Sequence, residues 1–298
     1  MAPNPLPVLH DRTPALTPSN RFSPVEAREK FDGLQERLEE LTRQGVLVAF
    51  SGGVDSSFLL WAVAQVASGR VGHQVVALTT VSASTPERDR QDAARFAAEL
   101  GVEQIWRSSR ELDDPRYVRN DRRRCYYCKA DLFRVAEELA VQRNLRWLLY
   151  GFNASDLDDV RPGHQAALEA GVLAPLAEVG LRKAEIRHLM RSFGLDLSEK
   201  PASPCLSSRV MTGIPISAAR LGDVEAIEAI LREGGVRVCR ARICEGSGQE
   251  YFLRIEVGVG DMAKAVTLRE PLVKEGLVRG YRWVTLDLAG YRTGGGVS

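Results

Sequence analysis

The sequence predicts an α/β protein: a parallel sheet with helices on both faces, followed by a smaller C-terminal α/β domain. Three observations carry this. Apolar runs of strand length alternate with stretches of helical periodicity between residues 25 and 200. These runs are bounded by glycine or turn residues, as strands buried on both faces are. After a linker at residues 198–204 the alternation resumes in shorter units. Repeated β-α units argue for a parallel sheet covered on both sides.

In chain order, residues 1–24 hold six of the 14 prolines with little apolar content and no periodicity, and read as a disordered leader. Val25, Phe31, Leu34, Leu38 and Leu41 then recur at near-helical spacing up to Gly45, which predicts a helix from Pro24 to Gln44. A strand at Val46–Phe50 and a helix through Val66 follow. Gln74–Val81 is a second strand. Thr85 and Pro86 read as the N-cap and first position of a helix closed by Gly101. Val102–Trp106 is a third strand, and the loop of about twenty residues after it is longer than most connections in compact domains. A helix over Lys129–Asn144 and a strand over Arg146–Gly151 restore the alternation, and Leu181–Gly194 is a further helix. Beyond the linker, Ser217 caps a helix to Leu231, Val236–Ile243 and Tyr251–Val257 are strands, Asp261 starts a helix to Leu268, and Tyr281–Leu288 is the last strand. The expected division is a leader at 1–24, a first domain at 25–200, and a domain at 201–298 serving substrate binding and oligomerisation.

At 298 residues the chain is long enough for two sizeable cores. Its formal net charge of +1 argues against a protein built around a polyanion, so no nucleic-acid partner is expected. No apolar run approaches the ~18 residues of a membrane span, and no secretory signal is visible, so no membrane partner and a cytoplasmic location are expected. Five cysteines in such a chain suggest a reducing compartment, where clustered thiols bind metal or do chemistry.

The stretch richest in chemistry is Ser51-Gly52-Gly53-Val54-Asp55-Ser56. Two glycines at a strand-to-helix turn let the backbone approach a ligand closely, and the unpaired N–H groups of the new helix point at it. That is an anion site. It lacks the Gly-Lys-Ser/Thr ending of the usual P-loop and is too short for a dinucleotide fingerprint. It resembles the pyrophosphate-binding SGGxDS loop of the ATP pyrophosphatase superfamily, which activates substrates by adenylylation. Gly151 to Asp156 ends another strand and should lie beside it at the carboxyl edge of the sheet. Asp156, Asp158 and Asp159 there could meet Mg²⁺, although ordinary loop acids explain Asp158 and Asp159 as well.

Cys125-Tyr126-Tyr127-Cys128 lies in the long loop and Cys205 just past the linker. A C-x-x-C pair alone is compatible with zinc, redox chemistry or an iron–sulfur cluster. The pair does not read as opening a helix, which counts against the thioredoxin pattern. No fourth cysteine or histidine stands in an obvious zinc position, whereas three thiolates and one open coordination position suit a 4Fe–4S cluster. Arg119, Arg122, Arg123, Arg124 and Lys129 should lower the thiol pKa values. Cys239 and Cys244 read as buried core residues.

These motifs, with Pro204-Cys205-Leu206-Ser207-Ser208-Arg209 and Thr285-Leu286-Asp287-Leu288-Ala289-Gly290-Tyr291-Arg292, resemble the LarE family over nearly the whole chain after residue 25. The family comprises ATP-dependent sulfur transferases that mature the nickel-pincer nucleotide of lactate racemase. The resemblance implies the adenine nucleotide alpha-hydrolase-like fold, a homo-oligomer, and ATP, Mg²⁺ and a 4Fe–4S cluster as cofactors. A carboxylate of pyridinium-3,5-biscarboxylic acid mononucleotide would attack the α-phosphate of ATP. Ser51, Gly52, Gly53, Asp55 and Ser56 would hold the departing pyrophosphate, and a sulfur nucleophile would then displace AMP. In family members with one such cysteine its own sulfur is consumed. In members with three, the cysteines hold a cluster that delivers sulfide, so Cys125, Cys128 and Cys205 are expected as cluster ligands, with the sulfide donor unidentified. Ser208, Arg209, Arg240 and Arg292 are expected at the nucleotide phosphates, where an arginine fork suits the ligand. Glu228 falls in the apolar stripe Leu221, Val224, Ile227, Leu231, where a carboxylate needs a partner. The resemblance implies that Glu228 and Asp261 meet a divalent cation, while Asp261 is equally well read as a helix cap. The rival readings are a tRNA thiolase, an amide-forming synthetase that needs no cysteine triad, and a non-catalytic cluster- or zinc-bearing scaffold.

Overall fold

The computed structural model describes residues 22–158, 162–201 and 204–292. The expected leader lies almost wholly outside the described residues, as does Asp159. Helix α1 (Pro24–Thr42) starts where the Ser23 hydroxyl accepts the Glu26 N–H at 3.3 Å, with Pro24 in the first turn. Strands β1 (Val46–Ala49), β2 (Val75–Val81), β3 (Glu103–Ser108) and β4 (Trp147–Tyr150) form one sheet in the order β3-β2-β1-β4, every pair parallel.

Between them run α2 (Val54–Ala67), α3 (Glu87–Glu99), the short α4 (Pro115–Val118) and α5 (Arg124–Gln142). After β4 come α6 (Pro162–Glu169), α7 (Pro175–Glu178) and α8 (Lys183–Ser192). Alternation along β1 divides the core. Val46 and Val48 pack with α1, α2, α3 and α8, whereas Leu47 packs with Val135, Ala136 and Leu139 of α5. The sheet is thus covered on both faces.

The second sheet contains β5 (Cys239–Glu245), β6 (Tyr251–Val257) and β7 (Val284–Leu286), with β5 antiparallel and β7 parallel to β6. Helix α9 (Ala218–Glu233) begins at Ser217, whose hydroxyl accepts the Arg220 N–H at 3.2 Å, and buries Leu221, Val224, Ile227 and Leu231 against this sheet. Helices α10 (Met262–Thr267) and α11 (Arg269–Val278) follow β6. Among the described residues no helix is long and apolar enough to cross a membrane.

Several elements differ from the sequence reading. The C-x-x-C pair does open a helix: α5 starts at Arg124, so Cys125 and Cys128 occupy its first turns, beside the parallel sheet. Arginine-rich and tyrosine-rich residues carry little periodicity, so the sequence reading starts this helix only at Lys129. Thr85 does not cap α3; its hydroxyl accepts the Ser82 N–H, and Pro86 takes the cap position. Asp261 stands at the N-cap of α10 without a side-chain capping bond, because its carboxylate takes the Arg237 N–H and the Lys264 ammonium. Helices α4, α6, α7 and α11 were not anticipated, since each is short or weakly amphipathic. The last strand is three residues long, not eight.

Candidate active site

In this sheet the chain runs outward from β1 through β2 to β3, then returns to place β4 on the other side of β1. The crevice at such a reversal, beyond the carboxyl ends of the strands, is where open α/β sheets bind ligands. A cavity of about 250 Å³ lies there, lined by Ser51, Gly53, Asp55, Ser56 and Gly151 at one end and by Glu111, Cys128 and Cys205 at the other.

The loop at the first end is closed on itself. Ser51 N–H donates to Ser56 Oγ at 3.3 Å, the two serine hydroxyls lie 3.1 Å apart, and Ser56 Oγ donates to Gly53 O at 3.1 Å. Gly53 caps α2 with no side chain to occupy its N–H groups, so they remain directed at the crevice. Gly52 adopts φ +70°, a region that favours glycine, and a Cβ there would meet the Cβ of Ala93 at 2.9 Å. Asp55 carries a buried Oδ1 with no hydrogen-bond partner among the described residues, and its Oδ2 lies 3.6 Å from the Lys183 ammonium. Burial holds its carboxyl above the ordinary range, against the pull of Lys183 and with a contribution from the nearby Asp156. An orphaned carboxylate oxygen beside a second acid and an anion loop has the chemistry of a site for a hard cation. Asp158 instead pairs with Arg182 at 2.6 Å.

The sulfur end is assembled from two distant segments. Asn120, at φ +57°, donates through Nδ2 to the carbonyls of Val210, Met211 and Ile214, and its Oδ1 accepts from Arg124 at 2.5 Å. Arg124 also donates to Ser207 O at 2.9 Å, and Tyr117 Oη lies 2.6 Å from Ser207 Oγ. These bonds hold the start of α5 against the segment after Cys205. Cys125 is exposed, while Cys128 and Cys205 are half-buried at the cavity wall. Burial pushes both of these thiols up, aided at Cys128 by Glu111; at Cys205 the Arg124 guanidinium pulls the other way. This corrects the expectation that a ring of basic residues lowers the thiol pKa values. Arg119 pairs with Asp121 and Arg123 lies over the rings of Tyr126 and Tyr127, whereas Arg124 acts on Cys205.

Glu111 escaped the sequence reading. It is 2 % exposed, and its Oε1 accepts from both Ser82 Oγ and Ser84 Oγ at 2.6 Å. An acid in a long loop carries no pattern that marks it as buried.

A second, smaller cleft of about 70 Å³ is lined by Arg88, Lys200, Arg209, Glu228, Arg232, Arg237 and Arg240, among others. Glu228 is the buried acid that the stripe pattern marked, and its partners are now visible. It takes Arg209 Nε at 2.9 Å, Arg232 Nη1 at 3.1 Å and the Ala241 N–H at 3.2 Å. Arg209 is held further by the carbonyls of Pro204 and Cys205, and by Ser208 Oγ at 3.2 Å. Arg240 donates to Cys239 O at 2.7 Å and lies over the ring of Tyr291. Its neighbour across one residue, Arg242, pairs with Glu256 at 2.6 Å. Arg292 is exposed and lines neither cleft. Asp261 lies outside both linings, but its carboxylate accepts the backbone N–H of Arg237, which lines the second cleft, at 3.1 Å. Among the described residues, no three His, Cys, Asp or Glu side chains converge closely enough to hold a single metal ion. Cys239 and Cys244 are buried as expected, and burial pushes the Cys239 thiol up to about 11.

A parallel sheet ending in a Ser-Gly-Gly-x-Asp-Ser anion loop defines the PP-loop class of ATP-using enzymes, and residues 26–115 match the family model described as NAD synthase. The chain is 30% identical over 257 residues to the pyridinium-3,5-bisthiocarboxylic acid mononucleotide synthase of Lactiplantibacillus plantarum, covering 86% of this chain and 90% of that one. It is 37% identical over 268 residues to an uncharacterized protein of Synechocystis sp., covering 89% and 96%. A third relative, an uncharacterized protein of Methanocaldococcus jannaschii, is 23% identical over 258 residues. The chain belongs to the LarE family of ATP-dependent sulfurtransferases.

Proposed function

We propose that this enzyme converts a carboxylate of pyridinium-3,5-biscarboxylic acid mononucleotide into a thiocarboxylate, in the pathway to the nickel-pincer nucleotide used by lactate racemase. The observation that carries the reading is one cavity with an anion loop at one end and Cys128 and Cys205 at the other. An acid activated at the loop has sulfur ligands within the same enclosure.

A carboxylate is a poor electrophile until one of its oxygens becomes a leaving group. The substrate carboxylate oxygen attacks the α-phosphorus of ATP and pyrophosphate departs. The N–H groups at the start of α2, with Ser51 and Ser56, receive the charge that develops on the leaving phosphates. Asp55, whose Oδ1 has no hydrogen-bond partner among the described residues, would hold Mg²⁺, which when bound would share that charge. A sulfur nucleophile then attacks the acyl carbon and AMP leaves.

Cys125, Cys128 and Cys205 are the residues that would hold a 4Fe–4S cluster. Cys128 and Cys205 share the cavity wall and Cys125 stands one turn earlier on α5, exposed, with Asn120 and Arg124 tying the two segments together; three thiols leave one iron of such a cluster open. When bound, the cluster supplies the sulfur. The reading in which Cys205 gives up its own sulfur places that residue on the same wall and differs in the protein left behind.

The arginine-lined second cleft fits the phosphate of the mononucleotide, with Arg209 and Arg240 as its fixed donors and Arg292 as a candidate from the closing motif. Glu228 acts there as the counter-charge that orients Arg209. A cation role for Glu228 or Asp261 requires that each leave its present basic partners. Residues 25–200 then form the ATP-cleaving half, and 201–298 the half that receives substrate and supports a homo-oligomer in the cytoplasm, without nucleic-acid or membrane partners. The test is to supply ATP, Mg²⁺ and the pyridinium biscarboxylate mononucleotide to anaerobically reconstituted protein. Pyrophosphate release that depends on the mononucleotide, with thiocarboxylate formed, supports the reading; release without that dependence removes it.

A further inference from the structure

Lys200 lies in the stretch that reads as a linker, yet its side chain is 8 % exposed and fully engaged. The ammonium donates to Gly52 O at 3.0 Å and pairs with Asp89 Oδ1 and Asp92 Oδ2 at 2.9 Å each. Three N–H bonds meet three acceptors, which is all that a lysine can donate. Arg95 takes the other oxygen of Asp92 at 3.0 Å. With each of its N–H bonds committed, the effect of Lys200 on an anion in the cleft is directional.

The direction concerned is that of one peptide plane. The Gly52–Gly53 peptide is trans, so its C=O and N–H point in opposite directions. Lys200 holds the C=O on the side of α3, where Gly52 is already packed against Ala93 and the Asp89 backbone. The Gly53 N–H is thereby turned to the opposite side, and Gly53 lines the cavity. With glycine on both sides, this peptide has little steric resistance to flipping, and a flip would present a carbonyl oxygen to the incoming anion.

We propose that Lys200 is a positioning residue for the pyrophosphate loop, fixing the Gly52–Gly53 peptide with its N–H toward the β- and γ-phosphates of ATP. Five residues before Cys205, it also ties the loop to the segment that brings sulfur to the cleft. The proposal rests on the reading of Ser51–Ser56 as an ATP loop.

The test titrates Mg²⁺-ATP and AMP separately into the full-length protein by calorimetry. Lys200→Met should weaken ATP by roughly tenfold to a hundredfold, the worth of a lost charged hydrogen bond, while AMP affinity changes little; the thermal midpoint should fall, because Asp89 and Asp92 lose a buried counter-charge. Lys200→Arg, which keeps a cationic donor, should restore part of the loss and keeps the test open should Lys200→Met not fold. The double variant Asp89→Asn, Asp92→Asn separates positioning from direct phosphate contact. Positioning predicts weaker ATP binding, because the anchor is loosened. Tighter ATP binding would mean that a freed Lys200 reaches the phosphates, and would overturn the proposal. Unchanged ATP affinity in Lys200→Met would overturn it as well. Wild-type protein that binds ATP no better than AMP would instead remove the loop reading itself, and this proposal with it.

Discussion

Replacing Gly151 with alanine tests how closely the end of β4 and the first turn of α2 must approach. A Cβ at this position would stand 2.6 Å from Ser56 N, 2.8 Å from Ser56 Cα and 2.9 Å from Asp55 C. All three are backbone atoms of the first turn of α2, so no side chain can swing aside. Ordinary contact begins near 3.4 Å, so α2 and β4 must separate by about 0.8 Å to admit the methyl group. Overpacking of this kind costs about 1–3 kcal/mol of stability. The larger effect falls on catalysis. The atoms displaced are backbone atoms that carry the N–H groups and the Asp55 and Ser56 side chains proposed to face the leaving pyrophosphate, and a shift near 1 Å can cost on the order of a hundredfold in rate. Pyrophosphate release measured beside a urea denaturation curve separates the two effects. Gly33→Ala serves as the control: its Cβ meets nothing within 4 Å, and it should gain up to about 1 kcal/mol with turnover unchanged. A Gly151→Ala protein with wild-type turnover and stability would refute the reasoning.

Other expectations follow from the buried groups. Glu228→Gln leaves Arg209, itself 2 % exposed, without its counter-charge and should cost about 3–5 kcal/mol in urea denaturation. Asn120→Ala releases three carbonyls from their shared donor and should cost about 3 kcal/mol, with the start of α5 becoming more accessible to protease. Asp55 has a native pKa above its unfolded value, so the stability it contributes is present at low pH and is lost as pH rises from the ordinary carboxylate range through the raised value. Asp55→Asn should flatten that part of the decline in nucleotide-free protein. In alkylation of metal-free protein, exposed Cys125 should react first and Cys128 and Cys205 later, as mass mapping over time would record.

What could be read from the chain alone was local. Val46–Phe50 followed by Ser-Gly-Gly is enough to place an anion loop between strand and helix, because the apolar run, the glycines and the helical run are contiguous. Glu228 was legible for a similar reason: an acid inside an apolar stripe of one helix announces a buried partner, and Arg209 proved to be one. Glu111, Asn120 and Lys200 were not legible, because each acquires its role from residues 27 to 148 positions away. The first turn of α5 was missed because arginine and tyrosine side chains obscure its periodicity, and with it the placement of Cys125 and Cys128 on a helix. The effect of the arginines on the thiols was misjudged for a physical reason. Exposed guanidinium groups engaged by Asp121 and by tyrosine rings act weakly on a thiol, while burial acts on it directly.

The central claim is that the loop activates an acid and the three cysteines deliver sulfur without being consumed. Its most direct test is the intact mass of anaerobically reconstituted protein before and after one round with ATP, Mg²⁺ and the pyridinium biscarboxylate mononucleotide. Thiocarboxylate product, AMP and pyrophosphate should form with the polypeptide mass unchanged. A loss of about 34 Da, the mass of hydrogen sulfide leaving a cysteine, located at residue 205 would contradict it.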